Sequence, residues 1–209
     1  MIIPAVLGPN FTEVQRQMRL LEGHTDWLHL DVTDGRFTGV RSWSTPDDLK
    51  FLDGKTKIEL HLMTKQPEEM LRDWADVVDR IIVHPEATDH LEEILSFLET
   101  SPTQAGVALL LNTEAEDIEP YLDRIDVVQF MSIAEVGKQG YAFDESAVEK
   151  IKLWRAKHPG VTISVDGGIN LDTAKFVLAA GANNLVVGSA IWKTEDPIAT
   201  LNAFTRLQK

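Results

Sequence analysis

Two histidines and two aspartates, His29, Asp31, His61 and Asp166, each fall near the end of a short apolar run and are far apart in the chain. In the segment Trp27 to Asp31, residues Trp27, His29 and Asp31 alternate with Leu28 and Leu30. A strand of period two therefore directs His29 and Asp31 to one side. Glu59, His61 and Met63 alternate in the same way with Ile58, Leu60 and Leu62, and Thr162, Ser164 and Asp166 with Ile163 and Val165. Two neutral imidazoles and two carboxylates form a ligand set for one divalent ion, and this chemistry does not select among zinc, iron, manganese and cobalt. Any one of the four, taken singly, also fits a hydrogen-bonded polar residue at a strand end. The set as a whole is what points to metal.

Phosphate chemistry has its own candidates. Gly167 and Gly168 follow Asp166 directly, and Gly188 and Ser189 follow Val187. Glycines let backbone N–H groups approach phosphate oxygens, and a following helix N-terminus adds a favourable dipole; the structural alternative is a pair of tight turns that need glycine. A third segment, 136–141, carries Gly137, Lys138 and Gly140, and is either a loop that closes over phosphate or a surface excursion. Met63 and Met131 share the inward parity of their strands beside the candidate metal residues, where methionine ordinarily serves packing. His84 and Glu86 end another strand and either line the mouth or, as expected, serve a structural role; His24, His90 and His158 read as surface residues.

The elements that must position these residues alternate along the whole chain. Strands are expected at 2–7, 27–31, 57–62, 80–84, 105–110, 125–131, 162–166 and 184–187, with helices at 12–21, 45–52, 67–74, 88–98, 115–121, 144–157, 171–179 and 196–207. Pro67 and Pro197 suit first-turn positions, and Thr45 and Asp196 suit caps ahead of Pro46 and Pro197. About eight βα units in one chain match a closed (β/α)₈ barrel, where an open doubly wound sheet stops at about five to seven strands. No linker composition divides residues 1–209, so one barrel domain is expected. In such a barrel, polar side chains at strand C-termini meet in the mouth. The two longest connections, 32–44 and 132–143, fall on that same face and become candidate substrate loops.

Composition removes other classes of function. Twenty basic against 33 acidic residues give a formal charge of −13, the wrong sign for nucleic acid. That field also repels a phosphorylated substrate, so a local cradle must hold any phosphate. No apolar stretch approaches the ~18 residues of a membrane helix, and the N-terminal segment does not read as a signal peptide. With no cysteine, thiolate ligands are excluded, and a cytoplasmic location is expected.

The segments 29–35 (HLDVTDG), 59–63 (ELHLM), 83–88 (VHPEAT), 163–169 (ISVDGGI) and 186–192 (VVGSAIW), taken in order, resemble the ribulose-phosphate 3-epimerase family. The resemblance implies that His29, Asp31, His61 and Asp166 hold a divalent metal and that Asp31 and Asp166 double as acid and base, without saying which serves which direction. It implies a small phosphorylated sugar as substrate, ribulose 5-phosphate and xylulose 5-phosphate first, and commonly an assembly of several copies. The chain departs from the family pattern at Ala5, where a serine is usual, at Thr33, where a methionine is usual, and at 134–140 (AEVGKQG), where an NPGFGGQ-like phosphate loop is usual. These departures touch substrate-holding positions, so a ketohexose 6-phosphate epimerase is the second reading. The third is a non-catalytic barrel that binds a phosphorylated metabolite. Trp43, Trp74, Trp154 and Trp192 are expected to serve packing.

Overall fold

Eight strands, β1 (Ile2–Val6), β2 (Trp27–Thr33), β3 (Lys57–Met63), β4 (Arg80–Val83), β5 (Gln104–Leu109), β6 (Val127–Met131), β7 (Ile163–Asp166) and β8 (Asn184–Val187), run parallel in sequence order. Pairing of β1 with β8 closes them into a barrel. The structure is a computed structural model that describes residues 1–52 and 54–208. Helices α1 (Phe11–Leu21), α2 (Leu71–Ala75), α3 (Leu91–Glu99), α4 (Ser146–Lys157), α5 (Thr173–Ala179), α6 (Ser189–Trp192) and α7 (Pro197–Arg206) connect the strands, together with 3₁₀ segments. The expected (β/α)₈ barrel is therefore the observed one. No helix among the described residues is long and apolar enough to cross a membrane.

Both faces of most strands are buried, as a parallel barrel requires. Leu28, Leu30 and Val32 of β2 point outward into the main core beneath the helices, where Trp43, Trp74 and Trp154 also pack. Inside the barrel a smaller apolar cluster joins Ile82, Ala108, Val127, Met131 and Ile133. At Gly106 a Cβ would stand 2.7 Å from Ile82 Cγ1 and 2.9 Å from Val127 Cγ1, so this level of the interior is full and only a hydrogen fits.

At the N-terminal end of the barrel, a polar residue just before one strand holds the start of the strand preceding it. Asp79 accepts from the Ile58 N–H at 2.9 Å, Asp126 from Ala105 at 2.8 Å and Asn183 from Ile163 at 2.8 Å. These side chains satisfy amides that the ladder leaves open.

Several expected helices differ in kind. Residues Pro46–Phe51 and Ala115–Arg124 form 3₁₀ turns instead of α-helices, and 67–74 divides into a 3₁₀ turn at Pro67–Glu69 and the short α2. Proline explains the second case: Pro120 lies inside the segment, without an N–H to give and with its ring against the preceding turn. Thr45 makes no side-chain cap, whereas Asp196 accepts from the Ala199 N–H at 2.9 Å as its position implies. His158 is half-buried on Trp154, with ring centroids 4.2 Å apart, and is not the surface residue expected.

Candidate active site

Register brings the four candidate ligands together. In β2 and β3, His29 pairs with Glu59, Asp31 with His61 and Thr33 with Met63; across the barrel, Met131 of β6 pairs with Asp166 of β7. The inward parity of each strand thus converges on one point at the C-terminal mouth. His61 Nδ1 lies 3.1 Å from Asp31 Oδ1, 3.2 Å from His29 Nε2 and 3.6 Å from Asp166 Oδ2. His29 Nε2 lies 3.3 Å from Asp31 Oδ1 and 3.9 Å from Asp166 Oδ2, and all four atoms fall within 4.8 Å of one another.

The donor set fits a divalent ion. Bonds of about 2.1 Å in a tetrahedron put ligand atoms roughly 3.4 Å apart, close to the spacing found here. The His29 ring is also oriented for that task. Its Nδ1 lies 2.7 Å from Glu59 Oε1, and a carboxylate accepts only, so the proton of a neutral His29 sits on Nδ1 and the Nε2 lone pair faces the cluster. Glu59 is in turn held by Arg80, whose Nη1 donates at 2.6 Å. Arg80 donates to Gln104 Oε1 at 2.6 and 3.0 Å, and its guanidinium lies 4.3 Å from the centroid of Trp27.

The carboxylates of Asp31 and Asp166 are driven in opposite directions. Burial disfavours charge on Asp31, but hydrogen bonds from His29 and His61 override it and hold Asp31 well below the usual range. Burial, reinforced by the like charge of Asp31, pushes Asp166 up to about 7. For His29 burial again opposes charge, and Asp31 and Glu59 outweigh it, raising the imidazole well above its ordinary value. Burial keeps His61 low, and its contact with Asp31 only partly offsets that. One carboxylate is ionised and the other holds a proton near neutrality, an unequal pair suited to acid–base work.

Above the cluster lies a cavity of about 40 Å³ whose floor is Asp31, Asp166, Met63 and Met131. The structure brings the residues of all three glycine segments to its walls: Gly137, Lys138 and Gly140, then Gly167 and Gly168, then Gly188 and Ser189. Gly167 and Gly168 have φ of 116° and 64°, so their turn requires glycine. His29 and His61 are fully buried below the cavity and do not line it.

Segment 132–143 lies across the opening. Gln139 Nε2 donates to the Ala5 carbonyl at 3.3 Å, its amide rests against Gly188, and Gly137 abuts Thr38. Sequence reasoning did not single out Gln139, Glu59 or Arg80 as members of the site. A signal existed for Glu59, which shares the inward parity of His61 two residues later. A carboxylate there is buried and must find a partner.

The model of the ribulose-phosphate 3 epimerase family matches residues 1–192. The chain is 31% identical to ribulose-phosphate 3-epimerase of Schizosaccharomyces pombe, with 94% of this chain and 88% of that one covered. It is also 31% identical to ribulose-phosphate 3-epimerase of Bacillus subtilis, with 93% of each covered. Among solved structures, 3-hexulose-6-phosphate synthase from Salmonella typhimurium superposes with a TM-score of 0.71 over 99% of this chain and 97% of that one. At 16% identity that likeness concerns the fold alone.

Proposed function

The chain belongs to the ribulose-phosphate 3-epimerase family, a family of isomerases, and on that premise we propose that it interconverts D-ribulose 5-phosphate and D-xylulose 5-phosphate by moving a proton at C3. The observation that carries the reading is the convergence of His29, Asp31, His61 and Asp166 on one point beneath a cavity walled by glycines.

The proton at C3 lies next to a ketone, and its removal leaves a planar enediolate. Inverting the carbon then needs one group on each face, one taking a proton and the other returning one. Asp31 from β2 and Asp166 from β7 enter from different sides of the mouth, so one carboxylate is available to each face of the substrate. His29 Nε2, His61 Nδ1 and the two carboxylates would hold the divalent ion, which when bound supplies Lewis-acid charge to the substrate oxygens. Met63 and Met131 give the reacting carbon an apolar floor beside the two carboxylates. Backbone N–H groups around Gly167, Gly168, Gly188 and Ser189, with Lys138 from the overlying loop, are the proposed phosphate cradle.

Protein stripped of metal and then reloaded tests the reading. Epimerisation is expected to return with a divalent ion and to fall by at least ~10³-fold in Asp31→Asn and Asp166→Asn, since each removes one of two obligatory proton carriers. Turnover in deuterated water should place deuterium at C3 of the sugar. Product formed without that exchange excludes proton abstraction. Comparing kcat/KM for ribulose 5-phosphate and a ketohexose 6-phosphate decides between the two sugar classes, and neither substrate reacting defeats the enzymatic reading.

A further inference from the structure

Only one nitrogen of His61 faces the ligand cluster. Nδ1 lies 3.1 Å from Asp31 Oδ1, while Nε2 points away from the cluster and lies 2.8 Å from Nε2 of His84. Two ring nitrogens at that distance share a single proton, so one donates and the other accepts. His84 is fully buried and covered by the ring of Phe37, with centroids 5.1 Å apart. Its other nitrogen, Nδ1, stands 3.4 Å from Glu86 Oε2, and neither of these buried atoms has a hydrogen-bond partner elsewhere or a well-formed bond to the other, so each is the only polar group left for the other to engage. The opposite oxygen of Glu86 is already engaged, accepting from the Leu110 N–H at 2.8 Å and from the Thr113 hydroxyl. Glu86 is thus fixed from behind, with one oxygen left to face His84.

We propose that Glu86 and His84 form a buried relay that sets the tautomer of His61. Glu86 holds the His84 proton on Nδ1, His84 Nε2 therefore accepts from His61 Nε2–H, and His61 Nδ1 presents its lone pair to the metal. The reverse arrangement would aim an N–H at the cluster and oppose a cation there. Glu59 does the same for His29 directly, whereas His61 is served through an intervening imidazole. β4 and the turn Pro85–Ala87 thereby join the site although neither supplies a ligand. His84 and Glu86 are positioning residues, acting through His61, and the inference rests on the reading of the four residues as metal ligands.

Zn²⁺-loaded protein labelled with ¹⁵N-histidine tests it. Long-range ¹H–¹⁵N spectra report which ring nitrogens carry protons, and the expected result is His84 Nδ1–H with His61 Nε2–H. Glu86→Gln keeps shape but turns an amide N–H₂ towards His84 Nδ1, which reverses the relay. Zn²⁺ affinity, measured by chelator competition, should then fall roughly tenfold or more, while metal-free melting stays near that of the parent. A wild-type His84 proton on Nε2, or unchanged Zn²⁺ affinity in a folded Glu86→Gln, overturns the relay and leaves the ligand assignment standing. Wild-type protein that binds no Zn²⁺ overturns both. The tautomer measurement needs no variant, so poor folding of Glu86→Gln does not remove the test.

Discussion

At the cluster, a proton on His29 does in the metal-free protein what the proposed cation would do once bound. Asp31 and Glu59 both face the His29 ring, and their charge keeps it protonated well above the ordinary imidazole range despite burial. A metal must displace that proton and the one that burial keeps on Asp166 up to about pH 7. Binding should therefore release more protons at pH 6, below the Asp166 value, than at pH 8, above it. Calorimetry in buffers of different ionisation enthalpy counts them, and equal release at both pH values would remove Asp166 from the ligand set. The same raised pKa has a cost in stability. Because folded Asp166 keeps its proton where the unfolded chain has lost it, stability falls as pH rises from about 4 to 7 and stays low above. Metal-free Asp166→Asn should accordingly melt at a higher temperature than the parent at pH 8, by up to a few kcal/mol of stability at ~1.4 kcal/mol per unit, with no such gain at pH 4.

Among the elements, the strands were legible because apolar residues alternate with chemistry-bearing ones, and His29, Asp31, His61 and Asp166 could be placed on one face from parity alone. Parity does not tell which strand stands beside which residue. The pairing of Glu59 with Arg80 depends on the register between β3 and β4, and that of His61 with His84 on rotamers inside a closed barrel. Neither can be read along one segment. Helix type was equally hidden where proline and short length favour 3₁₀ turns over an α-helix. Loop 132–143 shows a further limit: its glycines and Lys138 fit either a loop that closes over phosphate or a surface excursion, and only the fold reveals Gln139 fastened to the Ala5 carbonyl. At about 40 Å³ the cavity is tight for a sugar phosphate, and this loop, which carries Gly137, Lys138 and Gly140 on its wall, is the segment expected to shift as substrate enters. Among the described residues, Lys138 is the one exposed cation lining that cavity. Lys138→Ala should raise KM about tenfold, in line with loss of one hydrogen bond to a charged group, and leave kcat within about twofold. Unchanged KM would place the lysine on the surface of the loop and outside the phosphate cradle.

For the molecule as a whole, the barrel is a frame shared at low identity with proteins of other activities, so chemistry is carried by what stands at the strand ends. The ligand cluster also has a mechanical consequence for that frame. Its four side chains come from β2, β3 and β7, which are far apart in the chain, and an ion held among them ties the two sides of the mouth together. On the proposed reading such an ion would bind the folded barrel and find no assembled site in the unfolded chain, so its affinity would add to stability by mass action. At a free concentration one hundred times Kd the gain is about 2.7 kcal/mol, worth roughly 5–10 °C in Tm for a chain of this size. Thermal melts with and without a divalent ion should show that rise in the parent. In His61→Ala the rise should largely vanish, because the site loses a ligand. It should persist in Lys138→Ala, which touches only the substrate side. A rise of equal size in His61→Ala would mean that the ion stabilises the barrel from somewhere other than this mouth.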